Sequence, residues 1–344
     1  MGRPPRHSQG GALVALCVVV LALGAAAVAF GWHALGKPLP LPRSPYDFDV
    51  RSGASLATVA RDLTRAGVLP HPAWLTLYAR VEGVDRTIKA GSYEIADGIT
   101  LRDLLGKLTQ GDVTQTSLTI VEGTTFAQLK AALRADDGID KTVVDLPDAD
   151  LLARLGVARP SAEGLFFPDT YFFARHTSDA AILKRAARML EARLAAGWAA
   201  RAPDLPLATP YDALILASIV EKETGHPADR PLVASVFVNR LRIGMPLQSD
   251  PTVIYGMGAT FDGNLHKRDL AADTPYNTYT RAGLPPTPIA LASQASLDAV
   301  LHPPATRYLY FVSRGDGRSQ FSATLEEHNG AVAKFQKGGA RATP

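Results

Sequence analysis

Cysteine is nearly absent: Cys17 is the only one in 344 residues. Neither a disulfide framework nor a thiolate metal site can be built from it. The eight histidines are scattered, and no H-E-x-x-H brings two of them to one helix face. His226, His266, His302 and His328 read as surface or capping residues, so no metal site is expected. There is no G-x-S-x-G elbow, which removes the esterase arrangement. Neither G-x-G-x-x-G nor a P-loop occurs, so no nucleotide cofactor is implied and no cofactor is expected. The net charge of +3 is small for this length, and no dense Lys/Arg block follows the N-terminus. Nucleic acid is therefore not an expected partner.

What the chain does have is length enough for two or three domains and one long uncharged run. Residues 1–9 are short and polar, with Arg3 and Arg6 as fixed positive charges. From Gly10 to Trp32 no charged residue appears and Leu, Val and Ala dominate. That is about the length needed to span a bilayer as a helix, and residues 10–35 are assigned to a single transmembrane anchor. The arginines precede the run, which keeps the N-terminus cytoplasmic and the rest of the chain extracytoplasmic. The rival is a cleaved signal peptide, because Ala25 to Ala29 offers small residues at suitable spacing; the length of the run favours retention. Residues 36–46 form a proline-rich, semi-rigid spacer expected to hold the next domain off the membrane.

From Tyr46 to about Arg134 one pattern recurs three times at uneven intervals: a β-prone segment, a glycine, one residue, a Ser or Thr, and an amphipathic helix. Gly53, Gly98 and Gly123 make the turns. Ser55, Thr100 and Thr125 are N-caps, and Gln128 completes a capping box with Thr125. The first two copies enclose a helix at Pro72 to Val81, which gives a small strand–helix–helix–strand module over residues 47–115. The third opens a larger mixed α+β domain over residues 116–338, with residues 339–344 as a disordered tail. The fold class is α+β.

In the larger domain, Ala135 to Arg159 reads as helical and polar. Ser161 to Phe173 (SAEGLFFPDTYFF) reads as a buried strand and loop crossing a cleft, with Glu163 beside Gly164. A scaffold helix is expected at Asp179 to Ala200 and another helix at Arg230 to Arg242. Gln248, Ser249 and Asp250 form a polar turn leading to a β-prone segment. Tyr276 to Tyr279 alternates rings with amide and hydroxyl groups, which suits a sugar chain. Tyr308 to Ser313 and Ser319 to Ser322 read as a hairpin.

The stretch Tyr211 to Gly225 (YDALILASIVEKETG) organises the rest. Its apolar residues recur at helical spacing, Gly225 and Pro227 stop it, and Glu221 and Glu223 fall in its last turn. A helix C-terminus and partial desolvation both favour a protonated carboxyl there, which is what a general acid requires. At about 100° per residue, Glu221 shares its face with Leu214, Ala217 and the small Ser218. Glu223 points nearer Leu216, Ile219 and Val220. On this reading Glu221 is the acid and Glu223 the alternative. An acid in a cleft of aromatic and amide groups is the profile of glycosidic bond cleavage.

The ordered blocks EGLFFPDTY at Glu163, ASIVEKET at Ala217, VNRL at Val238, LQSDPTV at Leu247 and YNTY at Tyr276 resemble the membrane-anchored endolytic murein transglycosylases of the YceG-like family. The 47–115 module resembles the LysM-type fold. The family resemblance implies that Glu221, the first Glu of E-K-E, is the catalytic acid. It would serve non-hydrolytic cleavage of the bond between N-acetylmuramic acid and N-acetylglucosamine inside nascent peptidoglycan strands, leaving 1,6-anhydro ends and limiting chain length. Gln248, Asn277 and Tyr279, with Ser218, Tyr276 and Thr278 beside them, are expected to hold the sugar. Asp250 and Glu163 are candidate helpers. The resemblance also implies wall-synthesis enzymes as partners. Two alternatives stay open: a hydrolytic muramidase using a second carboxylate, and a non-catalytic wall-binding scaffold.

Overall fold

The computed structural model describes residues 35–337 apart from Ser52 and Thr114, together with Val18, Val19 and Ala22. The expected anchor, the cytoplasmic tail and the C-terminal tail lie otherwise outside the described residues. Among those described, no helix is long and apolar enough to cross a membrane. The chain is mixed α+β and divides into two compact units, one running to Thr116 with Ala174–His176 added, the other holding the remainder.

The first unit is a strand–helix–helix–strand module closed by a third helix. β1 (Tyr46–Val50) pairs antiparallel with β2 (Gly91–Ile95), matching Tyr46 to Ile95 and Val50 to Gly91. Between them lie α1 (Leu56–Arg65) and α2 (Pro72–Val81), and α3 (Leu101–Gln110) follows. Ser55 and Thr100 cap α1 and α3 through their side chains, and Thr100 forms a full capping box with Asp103. Leu56, Leu63, Leu75, Tyr93, Ile95, Leu104 and Leu108 make the core. The proline-rich stretch belongs to this unit rather than standing apart from it. Pro38 bridges Thr100, the Leu39 amide donates to the Ile99 carbonyl, and Leu35, Leu39 and Leu41 pack on the core.

The second unit opens within β3 (Gln115–Thr119), from Ser117 on, and β3 pairs with β5 (Thr170–Ala174). Between them α4 (Phe126–Ala135) is capped by the Thr125–Gln128 box. The expected helical run over 135–159 is helical only at α5 (Asp148–Leu155), because Asp136 to Asp145 turns through a short strand, β4 (Ile139–Asp140). β4 pairs parallel with β6 (Thr177–Ser178). Asp179 fixes that turn, its carboxylate accepting from the backbone amides of Thr142, Val143 and Val144. These bonds hold its pKa below the usual carboxylate range against the cost of burial.

The core of the unit is helical: α6 (Asp179–Ala199), α7 (Pro210–Glu223), α8 (Arg230–Arg242) and α11 (Gln294–Leu301). α11 packs on both α7 and α8. Between α8 and α11 the expected strand after Asp250 is instead the helix α9 (Asp250–Met257), followed by α10 (Lys267–Ala271). A hairpin of β7 (Tyr310–Ser313) and β8 (Ser319–Ser322) and a last helix, α12 (Leu325–Val332), complete the order. Phe166 and Phe167 are core residues, and Phe166 stacks on Phe126. The aromatic run is therefore packed interior at Phe166 and Phe167 and continues into β5, where Tyr171 and Phe173 are buried and Phe172 is exposed.

Candidate active site

α7 starts from a reciprocal cap. Thr209 Oγ1 accepts from the Asp212 amide and Asp212 Oδ2 accepts from the Thr209 amide, while Pro210 occupies the first turn, where its missing N–H is not needed. Ala213 to Val220 are all buried, so the helix is held by its apolar girth rather than by one stripe. It ends at Glu223, with Thr224 extended. Both carboxylates therefore leave the last turn, and they leave it on different sides.

Glu221 meets the start of α11. Its Oε2 accepts from the Ser293 amide at 2.9 Å, from the Ser293 hydroxyl, and from the Ser296 hydroxyl at 2.7 Å. Its Oε1 lies 3.7 Å from an Arg230 guanidinium nitrogen, and only 7% of its side chain is exposed. The small residues beside Glu221 do leave room, and Ser293 and Ser296 fill it. Helix α11 presents free amides and a partial positive charge at this end, so Glu221 acts there as an acceptor that fastens two helices. Glu221, the expected acid, is thus enclosed at this end of the helix. Its partners were out of reach of sequence reasoning, since they lie 72 and 75 residues downstream. The one local signal was Ser293 itself, a natural N-cap ahead of QASLDAVL.

Glu223 meets a different group. Ser249 Oγ donates to its Oε1 at 2.5 Å. Burial pushes its pKa up to about 7; the Asp250 charge adds to that, and the Ser249 bond and Arg240 oppose it. Asp250, exposed, accepts from the Tyr279 hydroxyl at 2.5 Å. Burial and the Asp250 carboxylate raise the Tyr279 pKa, so the phenol keeps its proton and acts as a donor. Arg240, which the VNRL block contains but to which the sequence assigns no role, donates to the carbonyls of Leu309, Pro246 and Leu247 and to Gln248 Oε1. Gln248 sits in the left-handed region at φ 51°, which costs a non-glycine residue on the order of 1–3 kcal/mol. Its amide donates to the Thr278 carbonyl and holds it there.

Glu223, Gln248, Ser249, Asp250 and Tyr279 thus form one polar group over the end of α7. Four other expected sugar contacts do not face outward. Ser218 is fully buried, donating to the Ile215 carbonyl and accepting from the Ile289 amide. Asn277 is buried and spends its amide on the carbonyls of Asp269, Leu270 and Ala272. Thr278 is buried, accepting from the Ser249 amide and bonding the Thr252 hydroxyl. Tyr276 is half-buried, its ring edge-on to Tyr255 and its hydroxyl on Thr287. Thr278 holds the Ser249 amide and Asn277 accepts from the Tyr279 amide, so these two position the site from beneath, while Ser218 and Tyr276 spend their bonds elsewhere.

Glu163 stands apart from this group. Its carboxyl caps α4, accepting from the Phe126 amide at 2.9 Å, with the Gly164 amide and the Tyr255 hydroxyl also donating to it. Burial outweighs those bonds and pushes its pKa up to about 7. Gly164, at φ 76°, lies so close to the Pro288 ring that a Cβ would fall 2.4 Å from it, so this glycine is required by close packing. Glu163 is therefore a buried support of the start of α4. Among the described residues no group of His, Cys, Asp and Glu could hold a metal ion.

A protein-family model described as the YceG-like family matches residues 48–334. A relative from Bacillus subtilis (strain 168) named endolytic murein transglycosylase is 32% identical, the match covering 85% of each chain. A Streptococcus pneumoniae relative (serotype 2, strain D39 / NCTC 7466) of the same name is 28% identical over 94% of this chain, which spans 65% of that longer protein. A crystal structure of a YceG-like protein from Listeria monocytogenes is similar at a TM-score of 0.53 and 28% identity, covering 83% of this chain and 98% of that one.

Proposed function

The chain belongs to the YceG-like family, and we propose that Glu223, rather than Glu221, is the acid that carries its chemistry. The protein is an endolytic lytic transglycosylase of murein. The observation that supports Glu223 is its carboxyl, raised to about 7 by burial and held by Ser249 at the end of α7. A carboxyl poised near neutrality can give a proton and take one back.

Protonated Glu223 donates to the oxygen joining N-acetylmuramic acid to N-acetylglucosamine. The C1–O bond breaks and N-acetylglucosamine leaves with that proton. The Glu223 carboxylate then takes the proton of the muramoyl 6-hydroxyl as its oxygen bonds to C1 of the same sugar, giving a 1,6-anhydro end without consuming water. An internal nucleophile needs no second carboxylate to activate water. Asp250, steadied by Tyr279, supplies negative charge near the positive charge that develops at C1. Gln248, exposed beside it, is placed to bind the acetamido or hydroxyl groups of the sugar.

Gly10–Trp32 anchors the chain as a single span with the N-terminus in the cytoplasm and the second unit on the extracytoplasmic side. The first unit, with its strand–helix–helix–strand order, is a LysM-like module, and wall-synthesis enzymes are the neighbours of such an anchored enzyme. The test of the acid is a pair of variants, Glu223→Gln and Glu221→Gln, assayed on isolated glycan strands with the released ends identified by mass. Loss of 1,6-anhydro ends in the first and their retention in the second supports the assignment; the reverse pattern overturns it. Reducing ends in place of anhydro ends would establish the hydrolytic alternative.

A further inference from the structure

The first unit carries an apolar stripe that its own core does not use. On α2, Trp74, Leu77 and Val81 are 39%, 64% and 77% exposed, while Leu75 and Ala79 of the same helix are buried in the core. Spacings of three and four residues put the exposed three on one face, opposite in purpose to the buried pair. Arg80 is exposed beside them, where a long cationic side chain can reach outward past an apolar contact. A helix with a tryptophan and two aliphatic residues facing water marks an interaction surface. The combination of Trp, Leu and Arg suits the boundary between lipid headgroups and acyl chains.

The tether decides the occupant. The apolar run ends at Trp32, and the chain is already fixed to the first unit by the Pro38–Thr100 bridge and the Leu39–Ile99 hydrogen bond. Six residue steps from Trp32 to Pro38 span at most about 20 Å. A unit of this size has a radius of gyration of about 12 Å, so its surface lies within reach of the bilayer that the run enters. We infer that the Trp74–Leu77–Val81 face of α2 rests in the outer interface of that bilayer and holds the first unit flat against it. This inference rests on Gly10–Trp32 being a membrane anchor.

The test uses the full chain in lipid vesicles. Cys17→Ala removes the only native cysteine, Leu77→Cys carries a nitroxide, and Arg61→Cys on α1 gives the control; both labelled positions are exposed, so the fold is undisturbed. Collision of the nitroxide with oxygen, which partitions into lipid, is compared with collision with a water-soluble nickel chelate. The expected result is a shift toward oxygen at position 77, absent at position 61, with the label shallow in the acyl region, about 5–10 Å deep. An anchored chain whose label at 77 is as open to nickel as at 61 overturns the docking and leaves the anchor standing. Dipolar broadening between labels at 77 also overturns it, identifying a second copy as the occupant. A chain stripped from the vesicles at alkaline pH removes the anchor and the docking with it.

Discussion

Glu221 and Glu223 leave the same turn of one helix and meet opposite surroundings. Glu221 faces a helix start with three donors, and every contact asks it to accept. Glu223 faces a turn that offers one hydroxyl and a neighbouring carboxylate, in a place where burial favours its proton. The lesson is that the end of a buried helix does not by itself set a carboxyl's role. Whatever packs against that end sets it, and at Glu221 that is the start of α11.

The contrast is broken most directly at Glu223. Glu223→Gln is expected to lower kcat by about 10²–10⁴ with the thermal transition unchanged, read by release of anhydro ends. Glu221→Ala should do the converse, keeping the rate per folded molecule while stability falls by about 1–3 kcal/mol as the Ser293 and Ser296 donors lose their acceptor. A denaturant titration measures that loss. Between these extremes lies Asn277→Ala, which strips a donor from three carbonyls and loosens the turn that places Tyr279. Its rate should drop by up to about 10²-fold through misplacement alone, and its stability should fall too.

The pH profile sharpens the same contrast. An acid raised to about 7 must be protonated to act, so kcat/KM should fall as pH rises through about 7. Ser249→Ala removes a bond that favours the ionised form, so that limb should move up; Asp250→Asn removes a charge that favours the protonated form, so it should move down. The smallest effect concerns Glu163. Its folded pKa, about 7, lies above the ordinary 4.5, so the folded state keeps a proton that the unfolded chain has lost between those values. Stability from this group is full below about 4.5 and is lost as pH rises to about 7. In Glu163→Gln the drop in Tm between pH 4.5 and pH 8 should be smaller than in the parent.

Local chemistry was legible in the sequence. Ser55, Thr100 and Thr125 cap the helices they precede, Gly53, Gly98 and Gly123 take positive φ, and α8 spans Arg230–Arg242 as expected. The polar turn at Gln248 to Asp250 and the YNTY turn that packs on it were both visible as chemistry. What a sequence window does not contain is the far partner. The β-branched and aromatic residues of DPTVIYGM suggest a strand, yet Asp250 and Pro251 begin a helix whose Thr252 and Val253 are buried. Asn277 and Thr278 look like ligand groups because amides and hydroxyls serve scaffolding and recognition equally. Only the carbonyls of Asp269, Leu270 and Ala272 tell the two uses apart.

The fastening of Glu221 has a consequence for aim. Two residues apart on a helix are about 200° apart around its axis, so pinning one side chain to α11 fixes the azimuth of the other. Glu223 is pointed by its neighbour as a rudder is by its tiller, so the bearing of the proton proposed for it is set before any glycan arrives.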